Sequence, residues 1–176
     1  MTTSRMQLAR ITEQEVAKLL TIGSNGALEV AWPQPDDDGY DLEVYQRWAF
    51  GGRLLIQVKI ARTLFRYGTA QHLSIRGRIK KRIAIAGSQY WHFAGHFDLK
   101  SMRFTDPVFL IPAPALYQNL PRSTAASQEI RFNASMDPAS RDRFSRYRLE
   151  SHAVGRRVLY LVRAIGNPGE VDSLAA

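Results

Sequence analysis

The chain has 176 residues, 45% of them hydrophobic, and its 24 Lys and Arg against 16 Asp and Glu give a net charge of +8. This length and apolar content are enough for one domain with a substantial core, and they exclude a generally disordered chain. The absence of cysteine excludes disulfides, thiolate catalysis and cysteine-ligated metal clusters. Because no long apolar run or signal peptide is present, we expect a cytoplasmic protein without membrane contact.

The first predicted element is a helix from Thr12 to about Thr21. Thr12 is the expected N-cap, and Glu15 three positions later completes a capping box. Glu13 shares helical spacing with three apolar residues, Val16, Ala17 and Leu20. This spacing places Glu13 at the edge of the helix face that packs on the sheet, within reach of a site there. A first-turn charge that favours the helix dipole explains Glu13 equally well, and the sequence leaves both interpretations open.

The next predicted strands carry polar side chains on one face. An apolar strand at 27–32 and an acidic turn at 33–39 precede a strand at 39–45, and a further strand covers 54–60. Because side chains alternate along a strand, Asp41 and Glu43 share one side, and Gln57 and Lys59 share another. A glutamine and a lysine within so apolar a strand cost desolvation free energy unless a polar group meets them. Magnesium and phosphate would supply such polar groups. Alternatively, this face of the strand is solvated and Lys59 extends to water.

The rest of the sequence predicts further strands followed by helices. Strands are expected near 73–79, 83–86, 90–98, 108–111 and 129–133, with a short helix after Pro112 and one or two basic helices in 140–165. Residues 1–165 are expected to form a single domain, and 166–176 a flexible tail. This order of elements predicts an α/β sandwich around a mixed sheet.

Basic residues cluster in two parts of the chain, after the strand that contains Lys59 and within 140–165. Such clusters are typical of a surface that follows a phosphate backbone, although a solvated basic face without a ligand is the alternative. The predicted nucleic-acid-binding residues are Arg62, Arg66, Arg78, Lys80, Lys81, Arg82, Arg143 and Arg146. A weaker hypothesis places zinc on His92, His96 and Asp98, which share one strand face.

Three segments together resemble the signature of the PD-(D/E)xK nuclease superfamily: Glu13, Gly39-Tyr40-Asp41 and Gln57-Val58-Lys59. With Phe109-Leu110-Ile111-Pro112 they are most similar to bacterial domains of the DUF4365 type. The resemblance implies a restriction-endonuclease-like αβα sandwich around a central mixed β-sheet. It also implies metal-dependent hydrolysis of phosphodiester bonds in DNA, in bacterial defence or mobile-element biology.

The resemblance assigns a catalytic role to Asp41, Gln57, Lys59 and Glu13. Asp41, Gln57 and Glu13 would bind Mg²⁺, for which Mn²⁺ can substitute, and Lys59 would orient or activate the attacking water. Because Gln57 stands where an acid is usual, the alternative is a catalytically inactive nucleic-acid-binding or assembly subunit that keeps the nuclease fold. The expected partners are DNA in preference to RNA, a second copy of the chain in a homodimer, and an accessory protein subunit.

Overall fold

The computed structural model describes residues 4–33, 39–49, 51–80, 89–117 and 127–166, with the backbone alone for 78–80 and 127–130. The α-helices in these ranges are α1 (Arg5–Gly23), α2 (Ala113–Tyr117) and α3 (Val154–Gly166). The strands are β1 (Leu28–Ala31), β2 (Leu42–Gln46), β3 (Arg53–Ala61), β4 (Phe65–Tyr67), β5 (Ala70–Lys80), β6 (Tyr90–Asp98), β7 (Arg103–Pro112), β8 (Ser127–Ser135) and β9 (Arg148–Leu149). Two single-turn 3₁₀ helices, Ser145–Tyr147 and Ser151–Ala153, precede α3.

A six-stranded mixed sheet forms the centre of the molecule, with the strand order β1-β2-β3-β6-β7-β9. Strands β3 and β6 run parallel, and the other neighbouring strands are antiparallel. The predicted α/β class with a central mixed sheet is confirmed. The parallel pair sets Gln57 opposite His92 in register, whereas the β2–β3 pair sets Leu42 opposite Ile56.

Helices α1 and α3 cover one face of the central sheet. The apolar side of β3 packs here, because Leu54 and Ile56 are fully buried, as the alternation of the strand predicts. Three phenylalanines of β6 and β7 pack edge to face at the centre of this layer, Phe93, Phe97 and Phe104. Their burial and that of the helix residues account for the main hydrophobic core.

The opposite face of the central sheet is covered by a three-stranded antiparallel sheet, β4-β5-β8, together with the five-residue helix α2. The second outer layer of the sandwich is therefore mostly sheet. Residues of β5 and β8, among them Leu73 and Phe132, pack against Phe109 and Ile111 of β7 in a second core cluster. Gln57 and Lys59 face this second layer, because they lie on the side of β3 opposite to Leu54 and Ile56.

The first helix begins earlier than the sequence predicts. Ser4 is its N-cap, since its Oγ accepts a hydrogen bond from Gln7 N at 3.2 Å and its backbone N donates to Gln7 Oε1 at 2.9 Å. The prediction that Thr12 caps the helix is wrong: Thr12 is buried inside α1, and its Oγ1 donates to Ala9 O at 2.8 Å. Two capping patterns fit the sequence, Ser4 with Gln7 and Thr12 with Glu15, and the structure forms the earlier one, which brings Leu8 into the helix and the core. Glu15 forms an ion pair with Lys18 and takes no part in a cap.

Other boundaries differ more modestly from the predictions. The strand expected from Gly39 begins at Leu42, and the helix expected within 140–165 begins only at Val154, after turns and the two-residue strand β9. The predicted strand at 83–86 and nearly all of the predicted tail lie outside the described residues. In the part of the chain that the structure describes, no helix is long and apolar enough to cross a membrane.

Candidate active site

A cleft of about 570 Å³ lies between the first half of α1 and the carboxyl end of β3. Three of the four predicted catalytic residues line it: Glu13, Asp41 and Lys59. The other charged residues of its wall are all arginines, Arg5, Arg62 and Arg76. Two carboxylates and a lysine from three separate segments of sequence therefore meet in a basic cleft.

Asp41 is held at the point where β2 and β3 separate. Its backbone N donates to Ile56 O at 2.9 Å, which continues the β2–β3 pairing by one residue. Its Oδ2 accepts a hydrogen bond from Val58 N at 2.6 Å. The carboxylate thus replaces a backbone carbonyl as the acceptor for this N–H group of β3. This contact fixes the carboxylate at the wall of the cleft.

Glu13 reaches the cleft from the third turn of α1, and its side chain is only 17% exposed. Burial and the nearby Asp41 carboxylate raise the pKa of Glu13, while its ion pair with Arg10, at 3.3 Å, partly offsets the effect. The first-turn interpretation of Glu13 is wrong, because the helix begins at Arg5. The two acids disfavour each other's charge, and a bound cation would relieve that repulsion.

Lys59 lies on the face of β3 that is turned to the small sheet, and it lines the cleft together with Asp41. Burial lowers the pKa of Lys59, and the Asp41 carboxylate partly offsets this shift. The strand opposite carries Gly77, at which a Cβ atom would stand 3.9 Å from Lys59 Cε. Residue 77 of β5 is therefore in contact range of the lysine stem. Lys59 also lines a second, small cavity of about 20 Å³ beside His92.

Gln57 lies two residues before Lys59 on the same strand face, but it is not among the residues that line the cleft. Its Oε1 is buried, and within the described ranges it accepts no hydrogen bond. An unsatisfied buried acceptor costs about 1–3 kcal/mol, and a hard cation is one group that would satisfy an amide oxygen. Among the described residues, no group of three or more His, Asp or Glu could hold a metal ion. The cleft itself therefore offers two carboxylates as candidate cation ligands, and the amide oxygen of Gln57 lies outside its lining.

Beneath Gln57 and Lys59 lies a buried polar layer that the sequence does not predict. His92 Nε2 lies 2.8 Å from Tyr117 Oη, and burial, with the Lys59 charge as a lesser cause, lowers the pKa of His92 to about 3. Burial also raises the pKa of Tyr90, with Tyr117 and then Asp41 as lesser causes, and its hydroxyl donates to Gly39 O. This bond anchors the segment that carries Asp41. No sequence signal identifies the layer, because it forms only when β3 and β6 pair.

The zinc hypothesis is not supported by the geometry. His92 is directed to Tyr117, whereas His96 Nδ1 lies 2.9 Å from Thr105 Oγ1. Asp98 accepts hydrogen bonds from the backbone N atoms of Lys100 and Ser101, at 3.0 and 3.2 Å, and thus stabilises a turn. These three side chains have separate structural partners.

The predicted nucleic-acid-binding residues are distributed over several surfaces. Arg62 lines the cleft, and Arg66 is exposed on β4. Arg143 and Arg146 lie away from the cleft wall, with their guanidinium groups over the rings of the residues that follow them, at 4.5 and 4.9 Å.

The remaining predicted basic residues are described less completely. The backbone of Arg78 and Lys80 belongs to β5, and Lys81 and Arg82 lie outside the described residues. Arg5 and Arg76 also line the cleft; Arg76 belongs to the first of the two basic clusters of the sequence, whereas Arg5 belongs to neither.

No family model and no curated protein matches the chain. A solved structure, that of the bacterial homing endonuclease I-Ssp6803I, is similar over 99% of this chain and 100% of that chain, at 16% sequence identity and a TM-score of 0.49. This likeness is too weak to bear on the function of the chain, for which the residues of the cleft are the guide.

Proposed function

We propose that this chain is a divalent-cation-dependent nuclease of the PD-(D/E)xK type that hydrolyses phosphodiester bonds in DNA. One observation carries the proposal: Glu13, Asp41 and Lys59 line a single cleft whose other charged residues are arginines. Phosphodiester hydrolysis needs groups that neutralise charge on the phosphate and a group that positions water, and these residue types meet both needs.

The acids and the amide suit Mg²⁺, with Mn²⁺ as a substitute. Asp41 and Glu13 would provide charged oxygen ligands, and Gln57 would provide a neutral one through its buried Oε1. The bound cation would supply Lewis-acid stabilisation of the charge that develops on the phosphate. The raised pKa of Glu13 supports this assignment, because the site disfavours two carboxylates without a compensating positive charge.

The remaining charged residues act on water and on the phosphate. Lys59 is desolvated, so its lowered pKa eases proton exchange with a nearby water, which its amine would also orient. Arg62 and Arg76 stand on the cleft wall and would hold the phosphates on either side of the cleaved bond. The cleft thus combines binding and chemistry in one place.

Nicking of supercoiled plasmid in the presence of Mg²⁺ or Mn²⁺ tests the proposal. We expect cleavage to fall at least about a hundredfold in Asp41→Asn and in Lys59→Met, because each substitution removes a group that acts on the reacting atoms. Lys100→Met is the matched control, since it removes a lysine from a turn outside the cleft and should leave cleavage unchanged. Equal activity in all variants would refute the assigned site.

The alternative is a nucleic-acid-binding or assembly subunit that keeps the fold without catalysis. Gln57 in place of an acid favours it, as does the absence, within the described residues, of a cluster with three His, Asp or Glu. Calorimetric titration with Mn²⁺ separates the two: the nuclease binds the ion, and Gln57→Glu binds it more tightly because it adds a third charged ligand. Gln46→Glu, at the far end of β2, adds the same charge away from the cleft and should not change the affinity.

A folded wild-type protein that binds DNA but neither binds Mn²⁺ nor cleaves duplex, single-stranded or branched DNA would identify the subunit. The DUF4365 resemblance, the homodimer, the accessory subunit, the role in defence or mobile elements and the cytoplasmic location stay predictions.

A further inference from the structure

The outer face of the small sheet is exposed and carries an unusual set of side chains. Leu73 and Ile75 of β5 and Phe132 and Ala134 of β8 point to the core, so the residues between them point outward. The outward residues of the described part are Phe65, Tyr67, His72, Ser74, Arg76, Arg131 and Asn133. We call this set the outer sheet face.

Two aromatic rings dominate one end of the outer sheet face. Phe65 is 60% exposed and Tyr67 is 83% exposed, although both belong to a paired strand. His72 lies opposite Phe65 in register, and its ring meets that of Tyr67 edge to face, with centroids 6.2 Å apart. Gly68, with φ +60°, makes the tight turn that joins β4 to β5. The rings are thus held on a short hairpin and available from the solvent side.

The charge of the outer sheet face is positive. Residues 65–76 contain no acid, and Glu129 is the one acidic residue in the sequences of β4, β5 and β8, where it pairs in register with Arg78. Arg76 and Arg131 face each other in register on neighbouring strands. Exposed aromatic rings and guanidinium groups on one sheet face are the combination that binds unpaired nucleic acid, since bases stack on the rings and phosphates meet the arginines.

The outer sheet face is continuous with the cleft, because Arg76 belongs to both and Arg62 of the cleft wall shortly precedes Phe65. We propose that the outer sheet face binds an unpaired strand of nucleic acid, with its bases stacked on Phe65 and Tyr67, and guides that strand to the cleft. In a duplex the bases are already stacked on one another, so exposed rings gain contact only with unpaired bases. This inference rests on the proposed nuclease function, for which it names the substrate class: nucleic acid with a single-stranded segment.

Fluorescence anisotropy tests the inference with a labelled single strand of about 20 nucleotides and with the matching duplex, both in EDTA so that no cleavage occurs. We expect the wild type to prefer the single strand. Phe65→Leu and Tyr67→Leu should each weaken single-strand binding by about fivefold to a hundredfold, the range that loss of one stacked base gives. Duplex binding should change less than about twofold, because it depends on the arginines.

Two further variants separate stacking from general damage to the hairpin. Tyr67→Trp keeps a flat ring and should retain the affinity that Tyr67→Leu loses. Trp48→Leu removes an aromatic that is 88% exposed on the turn between β2 and β3, at the other end of β3 from Arg62, and should leave binding unchanged. Circular dichroism checks that each variant is folded.

The inference is overturned if wild type prefers the duplex in both the DNA and the RNA series, or if the leucine variants weaken both ligands equally or neither. It is also overturned if Tyr67→Trp binds as weakly as Tyr67→Leu. A parallel series with RNA shows whether the unpaired strand is DNA or RNA, and a preference for either single strand over its duplex supports the inference. Because the assay needs no cation, single-strand binding without cleavage of duplex, single-stranded or branched DNA would overturn the proposed function and leave this inference standing.

Discussion

His92 should make the stability of the protein depend on pH. Its side chain is 1% exposed, and burial lowers its pKa from 6.5 to about 3, with the Lys59 charge as a lesser cause. In the unfolded chain the pKa of His92 keeps its ordinary value of 6.5. Below that pH the unfolded chain therefore binds a proton that the folded state does not bind. The stabilising effect of the neutral ring is therefore complete above pH 6.5 and is lost as the pH falls toward 3. Between pH 7.5 and pH 5 the loss amounts to about 2 kcal/mol.

Urea unfolding at pH 7.5, 6 and 5 measures this loss. In His92→Gln the amide can still meet Tyr117 Oη but does not titrate, so about 2 kcal/mol of the pH dependence should disappear. The difference between the two profiles cancels the contributions of all other groups. His152→Gln, which removes an exposed histidine, serves as the control and should keep the wild-type profile. If wild type and His92→Gln lose the same free energy on acidification, His92 is not a buried neutral base and the reasoning fails.

Substitutions at three further positions test the site and the fold. Glu13→Gln should raise the unfolding free energy of the metal-free protein at pH 7 by up to about 1 kcal/mol, because burial and Asp41 disfavour the charged form, and the gain should shrink as the pH falls. Mn²⁺ should raise the Tm of wild type more than that of Glu13→Gln, and equal shifts would exclude Glu13 as a ligand. Ser4→Ala should cost about 1 kcal/mol in urea unfolding but Ser4→Gly only a few tenths, a contrast expected of an N-cap; equal costs would argue against it. Gly95→Ala should lower the free energy of unfolding by about 1–3 kcal/mol, since its Cβ would lie 2.7 Å from Phe104 Cδ1. An unchanged Tm would show that the core accommodates the added methyl group.

The local periodicities of the sequence determined the orientation of several key side chains. Helical spacing placed Glu13 beside buried Val16 and Leu20, and the structure bears this out. Strand alternation separated Gln57 and Lys59 from the buried pair of β3, as observed. These predictions succeed because the direction of a side chain within a helix or strand depends on the backbone repeat of that element alone. The predicted helix start was wrong because Ser4 with Gln7 and Thr12 with Glu15 both fit a capping box, and the structure forms the earlier one.

Only the tertiary structure decided what surrounds the predicted site residues. His92 lies beside Gln57 because β6 pairs parallel to β3, although the two residues are far apart in sequence. Arg76 reaches the cleft, and Phe65 and Tyr67 face solvent, because the small sheet docks on the central one through Leu73 and Phe132. Such contacts depend on which strands pair and which apolar faces meet, and the free energy that selects them comes from burial over the whole domain. No short stretch of sequence contains that information.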